Sequence, residues 1–351
     1  MKLIDFAKVL VGRFPGGLAF VNILANMLFG AISGSAAASA SAIGSFMTPK
    51  MEEEGYDKSY STAVNITSAT TGLSIPPSNV LIVYSLAAGG LSIGALFIAG
   101  YVPGILTGLG LAAVAAAIAY RRNYPLAEKV GFRYSVIKFL DAIPSLGMII
   151  VVIGGIIAGI FTATEAAAIA VVYALILSFI YRQISIKDLP DILLRSVITS
   201  TIVLLLVACS IGLSWVMSYQ NIPQGVSEAL LALSENKLVI LIIINLLLLI
   251  VGVFMDLTPA VLIFTPIFLP IVTNMGVDPI HFGIIMVLNL SIGLCTPPVG
   301  TLLFVGCSIS KIGIEKVIRP LLPMYAVMIF VLLLITYFPE LTLWLPRLFG
   351  F

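Results

Sequence analysis

The sequence predicts an all-α polytopic membrane protein, and three observations predict it. Of 351 residues, 60% are apolar and only 10% are charged, whereas a soluble domain carries about 25% charged residues to cover its water-facing surface. Mean hydropathy is +1.16. Apolar segments of membrane-crossing length also recur along the chain, with no hydrophilic stretch long enough for a separate soluble domain. At roughly 20 residues per span, the length admits roughly ten to twelve crossings or part-crossings.

The elements follow in order. The opening run Met1–Lys8 is amphipathic and lacks the apolar core and cleavage site of a signal peptide. Residues 15–32 are apolar and lead to the small-residue tip Ser33-Gly34-Ser35. An Ala/Ser-rich helix then reaches Pro49, and a polar turn covers Lys50 to Lys58. The next segment, 59–90, is interrupted at Pro76-Pro77, because two adjacent prolines remove two donors and break a helix. A span at 94–119 follows, then two spans, 143–160 and 163–181, joined near Thr162 and Thr164. Another span covers 196–218 and an amphipathic arm 220–236. Residues 238–254 are apolar and end at Met255-Asp256-Leu257-Thr258, from which a short apolar helix reaches Pro270. Segment 279–309 is interrupted at Pro297-Pro298, and a last span covers 321–338.

Two parts of this order match. Pro49, Gly55, Asp57, Gly72, Pro76 and Pro77 recur as Pro270, Gly276, Asp278, Gly293, Pro297 and Pro298, all at one offset of 221 residues. Agreement at one offset, at positions where helices cap or break, marks an internal repeat. Residues 1–119 form the first copy, 120–219 connecting scaffold spans, and 220–351 the second copy. If Arg121, Arg122, Lys129, Arg133 and Lys138 mark a cytoplasmic loop, counting spans places all 18 basic residues inside except Lys237 and Arg347. That holds only if the first hairpin opens to the cytoplasm and the second to the exterior, so the repeats are read as inverted.

Composition also excludes functions. Lys plus Arg number 18 against 16 Asp plus Glu, a net charge of +2, with no basic block for a nucleic-acid partner. Cys209, Cys295 and Cys307 have no metal-ligand spacing, and the single histidine, His281, has no partner ligand. Phosphate-loop, zinc-protease and nucleophile-elbow motifs are missing. The chain is read as a non-enzyme without a cofactor.

Interrupted backbone at membrane depth is tolerated only where protein buries it or it lines a wet cavity. Both interrupted segments are rich in small polar groups: Asn65, Thr67, Ser68, Thr70, Thr71, Ser74 and Ser78 in one, Asn289, Ser291 and Thr296 in the other. The hairpin tips add Ser33, Ser35, Asp256 and Thr258. Inverted repeats with broken helices are the architecture of secondary transporters. Freed carbonyls suit Na⁺, and half-helix N-termini suit an anionic substrate group. A proton carrier would need an acidic relay, for which only Asp256 and Glu165 stand out, so Na⁺ is the preferred coupling ion. Plainer roles stand beside these. The Ser33–Ser35 tip suits close helix packing, Asp256 a helix cap, Glu165 a capping box with Thr162, and His281 an exterior helix start.

At these residues the sequence resembles a known family. The runs Gly12-Arg13-Phe14-Pro15-Gly16-Gly17-Leu18, Ile32-Ser33-Gly34-Ser35-Ala36 and Ile75-Pro76-Pro77-Ser78 resemble the large membrane subunit of TRAP, or tripartite ATP-independent periplasmic, transporters. So do Phe161-Thr162-Ala163-Thr164-Glu165-Ala166, Met255-Asp256-Leu257-Thr258-Pro259, Gly276 to Gly283 and Thr296-Pro297-Pro298-Val299-Gly300. The resemblance implies an elevator-type importer in the bacterial inner membrane, driven by a Na⁺ gradient. A periplasmic binding protein (DctP-like) would deliver an organic acid, such as a C4-dicarboxylate, a sialic acid or a sugar acid. A small four-helix subunit (DctQ-like) would brace the large one. Carried over by position, Ser33, Gly34 and Ser35 with Ile75, Pro76, Pro77 and Ser78 form one ion-binding half. Met255, Asp256 and Thr258 with Thr296, Pro297, Pro298 and Gly300 form the other, the ions held mainly by backbone carbonyls near Ser33, Ile75, Met255 and Thr296. Asn65, Ser68 and Asn289 are added as polar candidates from the interrupted segments. Family members carry further membrane helices before the position matching Leu3, so the chain reads as a truncated record, a fragment or one product of a split gene. The alternatives are a Na⁺-coupled anion carrier that works without a binding protein and an inactive fragment.

Overall fold

A computed structural model describes residues 2–12, 16–124 and 132–351. Arg13, Phe14, Pro15 and Lys129, which the sequence reading used, lie outside the described residues. Among the described residues the regular structure is helical. In chain order the helices are α1 (Lys2–Val11), α2 (Gly17–Ser33), α3 (Ala36–Glu53), α4 (Lys58–Ala69), α5 (Thr71–Ser74), α6 (Asn79–Ala87) and α7 (Ile93–Arg121). Then come α8 (Phe132–Ile157), α9 (Ala163–Ile180), α10 (Leu189–Tyr219), α11 (Ile222–Leu233) and α12 (Lys237–Phe254). The last are α13 (Leu257–Asn274), α14 (Pro279–Gly293), α15 (Thr301–Ser310), α16 (Ile314–Tyr337) and α17 (Glu340–Leu348). Among the described residues seven helices are long and apolar enough to cross a bilayer: α7, α8, α9, α10, α12, α13 and α16.

Local chemistry sets the boundaries. Asp57 starts α4 by accepting from the Tyr60 N–H (2.9 Å), and Asp278 starts α14 by accepting from Ile280 (2.8 Å). Thr162 and Glu165 form the expected capping box, with the Thr162 N–H on the carboxylate at 2.8 Å. His281 falls in the first turn of α14, with Nδ1 2.8 Å from the Thr342 hydroxyl. Gly34 ends α2 at φ +62°, a left-handed conformation that a glycine adopts without a Cβ penalty.

Several spans outrun their predicted limits. Helix α3 continues past Pro49 to Glu53, and α13 passes Pro266 and Pro270 to reach Asn274. Helix α16 begins at Ile314 and passes Pro320 and Pro323, where the sequence placed a start at 321. Helices α8 and α10 likewise begin earlier, at Phe132 and Leu189, and α17 was not anticipated. A lone proline removes one donor, which packed neighbours and local adjustment absorb in a membrane helix, so it bends the helix without ending it.

The two interrupted segments, α4–α6 and α14–α15, enter from opposite ends. Helix α4 starts beside the C-terminal end of α7. Tyr60 donates to the Ala115 carbonyl (3.2 Å), Arg122 lies 4.0 Å from the Asp57 carboxylate, and Tyr56 stacks on Tyr124 at 4.3 Å. Helix α14 starts beside the other end of α7. Tyr84, near the end of α6, donates to the Pro279 carbonyl (2.6 Å), and Ser85 in turn bonds the Leu91 carbonyl just before α7. The 29 residues of α7 separate these ends by about 44 Å. Lys50, Lys58, Arg121 and Arg122 gather at the α4 entrance. Lys311 joins them, because Thr62 donates to Ser310 at 2.7 Å. Lys237, which donates to the Gly276 carbonyl (3.0 Å), marks the opposite end.

Between these ends the packing relies on glycine and buried amides. A Cβ on Gly72 would stand 2.3 Å from the Gly30 Cα, and one on Gly293 would stand 2.5 Å from the Gly252 Cα. Each hairpin's first helix therefore touches the following interrupted helix backbone to backbone, the small-residue contact that membrane helices favour. Asn26 joins α2, α3 and α4: its oxygen accepts from Ser39 (2.7 Å), and its amide nitrogen lies 3.1 Å from the Asn65 oxygen and 3.0 Å from the Ser68 hydroxyl.

Gly72→Ala is expected to lower stability by about 1–3 kcal/mol through overpacking, read as a lower melting temperature of the purified protein in detergent. Burial pushes the Asp57 carboxyl up, but hydrogen bonds from Ser59 and Tyr60 and the Arg122 charge outweigh it and hold the group below the usual carboxylate range. A depressed folded-state value stabilises the fold above the unfolded pKa and is lost as pH falls through the folded one. Asp57→Ala should thus cost about 1 kcal/mol at neutral pH, and its melting curve should converge with that of the unmodified protein in strong acid.

Candidate functional site

Four helices begin at one cavity. It measures about 720 Å³. Its lining includes Ala36 and Ala37 at the start of α3, Asn79 and Val80 at the start of α6, Leu257 and Thr258 at the start of α13, and Thr301 and Leu302 at the start of α15. A helix N-terminus carries the equivalent of about half a positive charge; at α15 the Leu302 N–H is taken by the Leu294 carbonyl (3.1 Å), and at α3 the Ala38 N–H by Ser35. Among the described residues that line the cavity there is no Lys, Arg or His, and Asp256 is the one carboxylate.

The two tips meet here. Gly34 lets the chain reverse between α2 and α3, and Ser35 caps α3 by accepting from the Ala38 N–H (3.3 Å). The Asn79 amide packs on this reversal, since a Cβ on Gly34 would stand 2.8 Å from its nitrogen. Asp256 occupies the N-cap position of α13, but its carboxylate accepts no capping hydrogen bond. The capping role considered for Asp256 is therefore not made in this structure. Thr199, Ser200, Val203 and Leu204 of α10 complete the lining.

The two interruptions close in behind the half-helices. Both Pro76-Pro77 and Pro297-Pro298 peptide bonds are cis. Ser78 donates to the Leu73 carbonyl across the first break. In the second, Thr296 donates to Ile292 (2.8 Å), the Gly300 N–H bonds the Thr296 carbonyl (3.1 Å), and the Tyr325 hydroxyl donates to the Cys295 carbonyl. A Cβ on Gly300 would stand 2.6 and 2.8 Å from the Leu294 and Thr296 oxygens, so only glycine lets these carbonyls crowd together.

The structure brings Gly34, Ser35, Asp256 and Thr258 to the cavity wall. Ser33 stands behind its tip, with its hydroxyl on the Ser35 backbone at 3.3 Å. Pro76, Pro77, Ser78, Thr296, Pro297, Pro298 and Gly300 build the interruptions beside the cavity without belonging to its lining. Asn65, Ser68 and Asn289 lie elsewhere. The Asn65 amide donates to the Ala40 carbonyl (2.9 Å), Ser68 donates to Val64 (2.6 Å), and Asn289 donates to the Asn245 backbone (2.9 Å) and side chain (2.8 Å). Their donors are taken up within helix pairs, because a polar group in hydrocarbon takes the nearest partner, while the buried Asn289 Oδ1 accepts no hydrogen bond.

The sequence reading passed over Asn79, Thr301, Thr199 and Ser200. Asn79 and Thr301 carried a signal, being the first helical residues after each Pro-Pro pair. Thr199 and Ser200 formed a hydroxyl pair in an otherwise apolar span. Among the described residues no group of three or more His, Cys, Asp or Glu gathers to hold a metal. Any cation here would be held by carbonyl, hydroxyl and carboxylate oxygens.

The chain matches, over residues 1–341, the family described as the DctM component of the tripartite ATP-independent periplasmic transporter. It is similar to a protein of Salmonella typhimurium named YgiK, 62% identical over 349 residues, covering 99% of this chain and 80% of that one. Similarity extends to the C4-dicarboxylate TRAP transporter large permease protein DctM of Rhodobacter capsulatus, 39% identical over 363 residues, covering 99% and 82%. It extends also to the sialic acid TRAP transporter large permease protein SiaM of Vibrio cholerae, 36% identical over 349 residues, covering 99% and 82%.

Proposed function

This chain belongs to the DctM family of tripartite ATP-independent periplasmic transporters, and on that premise we propose that it is the large permease subunit of a Na⁺-driven importer of a small organic acid. The observation that carries the reading is the convergence of four helix N-termini on one cavity without a basic side chain. Backbone N–H groups and positive helix ends recognise a carboxylate where no Lys or Arg does. Asp256 would repel that carboxylate, so a cation beside it favours substrate binding. Substrate and ion then bind better together than apart, the coupling that a symporter needs.

Na⁺ fits the available ligands, which are hard oxygens: the Asp256 carboxylate and backbone carbonyls near Ser33, Ile75, Met255 and Thr296. The 221-residue offset and the entry of α4 and α14 from opposite ends support two inverted repeats. That arrangement in turn supports alternating access by elevator-like movement of the tips and interruptions against α10. The basic α4 end would face the cytoplasm. In a tripartite system a periplasmic binding protein delivers the acid and a small four-helix subunit supports the permease in the inner membrane.

The test is uptake by proteoliposomes holding the permease with its partner components, using a radiolabelled panel of organic acids. An inward Na⁺ gradient should drive uptake of at least one acid, and a Na⁺ ionophore should abolish it. Asp256→Ala should raise the Na⁺ concentration for half-maximal uptake, because Asp256 is the one carboxylate in the cavity lining. Uptake that is indifferent to Na⁺ would overturn the coupling.

A further inference from the structure

Resting on the transport reading above, we propose that Tyr325 competes with the coupling cation for the Cys295 carbonyl, and so makes the second interruption the weaker ion seat. The second interruption satisfies most of its carbonyls within itself. Those of Ile292, Gly293, Leu294 and Thr296 accept from the N–H groups of Cys295 (3.1 Å), Thr296 (2.9 Å), Leu302 (3.1 Å) and Gly300 (3.1 Å). The Cys295 carbonyl differs, because it accepts from the Tyr325 hydroxyl, a side chain of α16. Those backbone bonds cannot be surrendered without refolding the interruption, whereas a phenol O–H turns about one bond. Cys295 therefore carries the carbonyl in this run that a cation can take over.

The displaced proton has a second acceptor beside it. Thr296 also interacts with Tyr325, and its own proton is committed to the Ile292 carbonyl at 2.8 Å. Its oxygen can therefore accept. Turning the phenol proton from Cys295 to Thr296 frees the carbonyl oxygen for a cation. While the proton still points at the carbonyl, its positive charge opposes a cation there. The first interruption lacks this device. The same 221-residue offset pairs Cys295 with Ser74 and Tyr325 with Gly104 of α7, where a Cβ would stand 2.4 Å from the Ile75 side chain. The Ser74 hydroxyl, 1% exposed, finds no hydrogen-bond partner among the described residues. An ion at the first interruption meets an open oxygen; at the second it must displace a hydroxyl.

The experiment measures two Na⁺ concentrations: that for half-maximal uptake by the reconstituted transporter, and that for half of the Na⁺-induced rise in melting temperature of the purified protein. Tyr325→Phe keeps the ring and removes the competitor, so both concentrations should fall by about fivefold, the worth of one net hydrogen bond. Tyr84→Phe removes a similar bond, to the Pro279 carbonyl, and should lower the melting temperature while leaving both concentrations unchanged. Thr296→Val withdraws the second acceptor and should raise both, with no further effect once Tyr325→Phe is in place. A rise or no change in Tyr325→Phe, or no rise in Thr296→Val, would mean that the hydroxyl only braces the interruption and overturns the proposal alone. Uptake and melting of the unmodified protein that are both indifferent to Na⁺ overturn the Na⁺-driven reading, and this one with it.

Discussion

In hydrocarbon a backbone N–H or C=O without a partner costs several kcal/mol, and this chain interrupts two helices within its apolar core. The rest of the molecule is arranged so that those interruptions are affordable. Each is closed from behind by its own hydroxyls, Ser78 on the Leu73 carbonyl and Thr296 on the Ile292 carbonyl. A neighbouring helix adds to each: Gly100 of α7 lies against the Ser74 carbonyl, and Tyr325 of α16 donates to the Cys295 carbonyl. What remains open is the forward side, where α6 and α15 start afresh at the cavity wall.

Holding those half-helices in place requires close packing without water. The Gly30–Gly72 and Gly252–Gly293 approaches remove side chains where a hairpin crosses an interrupted helix. The amides of Asn26 and Asn289 supply directional bonds beside them, which apolar packing does not. Lipid is as apolar as leucine, so the fold draws its specificity from such contacts more than from hydrophobic burial. The polar residues of the two halves thus divide between holding helices together and facing the cavity.

The cavity itself is an electrostatic balance. Four positive helix ends face a lone carboxylate, Asp256, which sits at an N-cap position without serving as the cap. An anion that enters alone meets attraction from the helix starts and repulsion from Asp256. A cation removes the repulsion. On the proposed reading, the geometry that would recognise an organic acid also ties its binding to an ion.

Composition alone determined that this chain spans a membrane, because 10% charged residues cannot cover a soluble surface. The Pro-Pro pairs and the 221-residue offset located both interruptions and both tips, since proline chemistry and capping act within a few residues. Pro49, Pro266, Pro270, Pro320 and Pro323 misled or said nothing about helix ends, because whether a lone proline stops a helix depends on what packs against it. The sequence also could not separate Asn65, Ser68 and Asn289, which join helices, from Asn79 and Thr301, which face the cavity. All are polar residues in interrupted segments, and their roles depend on which neighbour lies within hydrogen-bonding distance. That four helices would start at one place, and that Thr199 and Ser200 would line the same cavity, was decided by tertiary structure alone. Ala36 and Asn79 are far along the chain from Leu257 and Thr301, and no local rule of backbone or side-chain chemistry carries across such a distance.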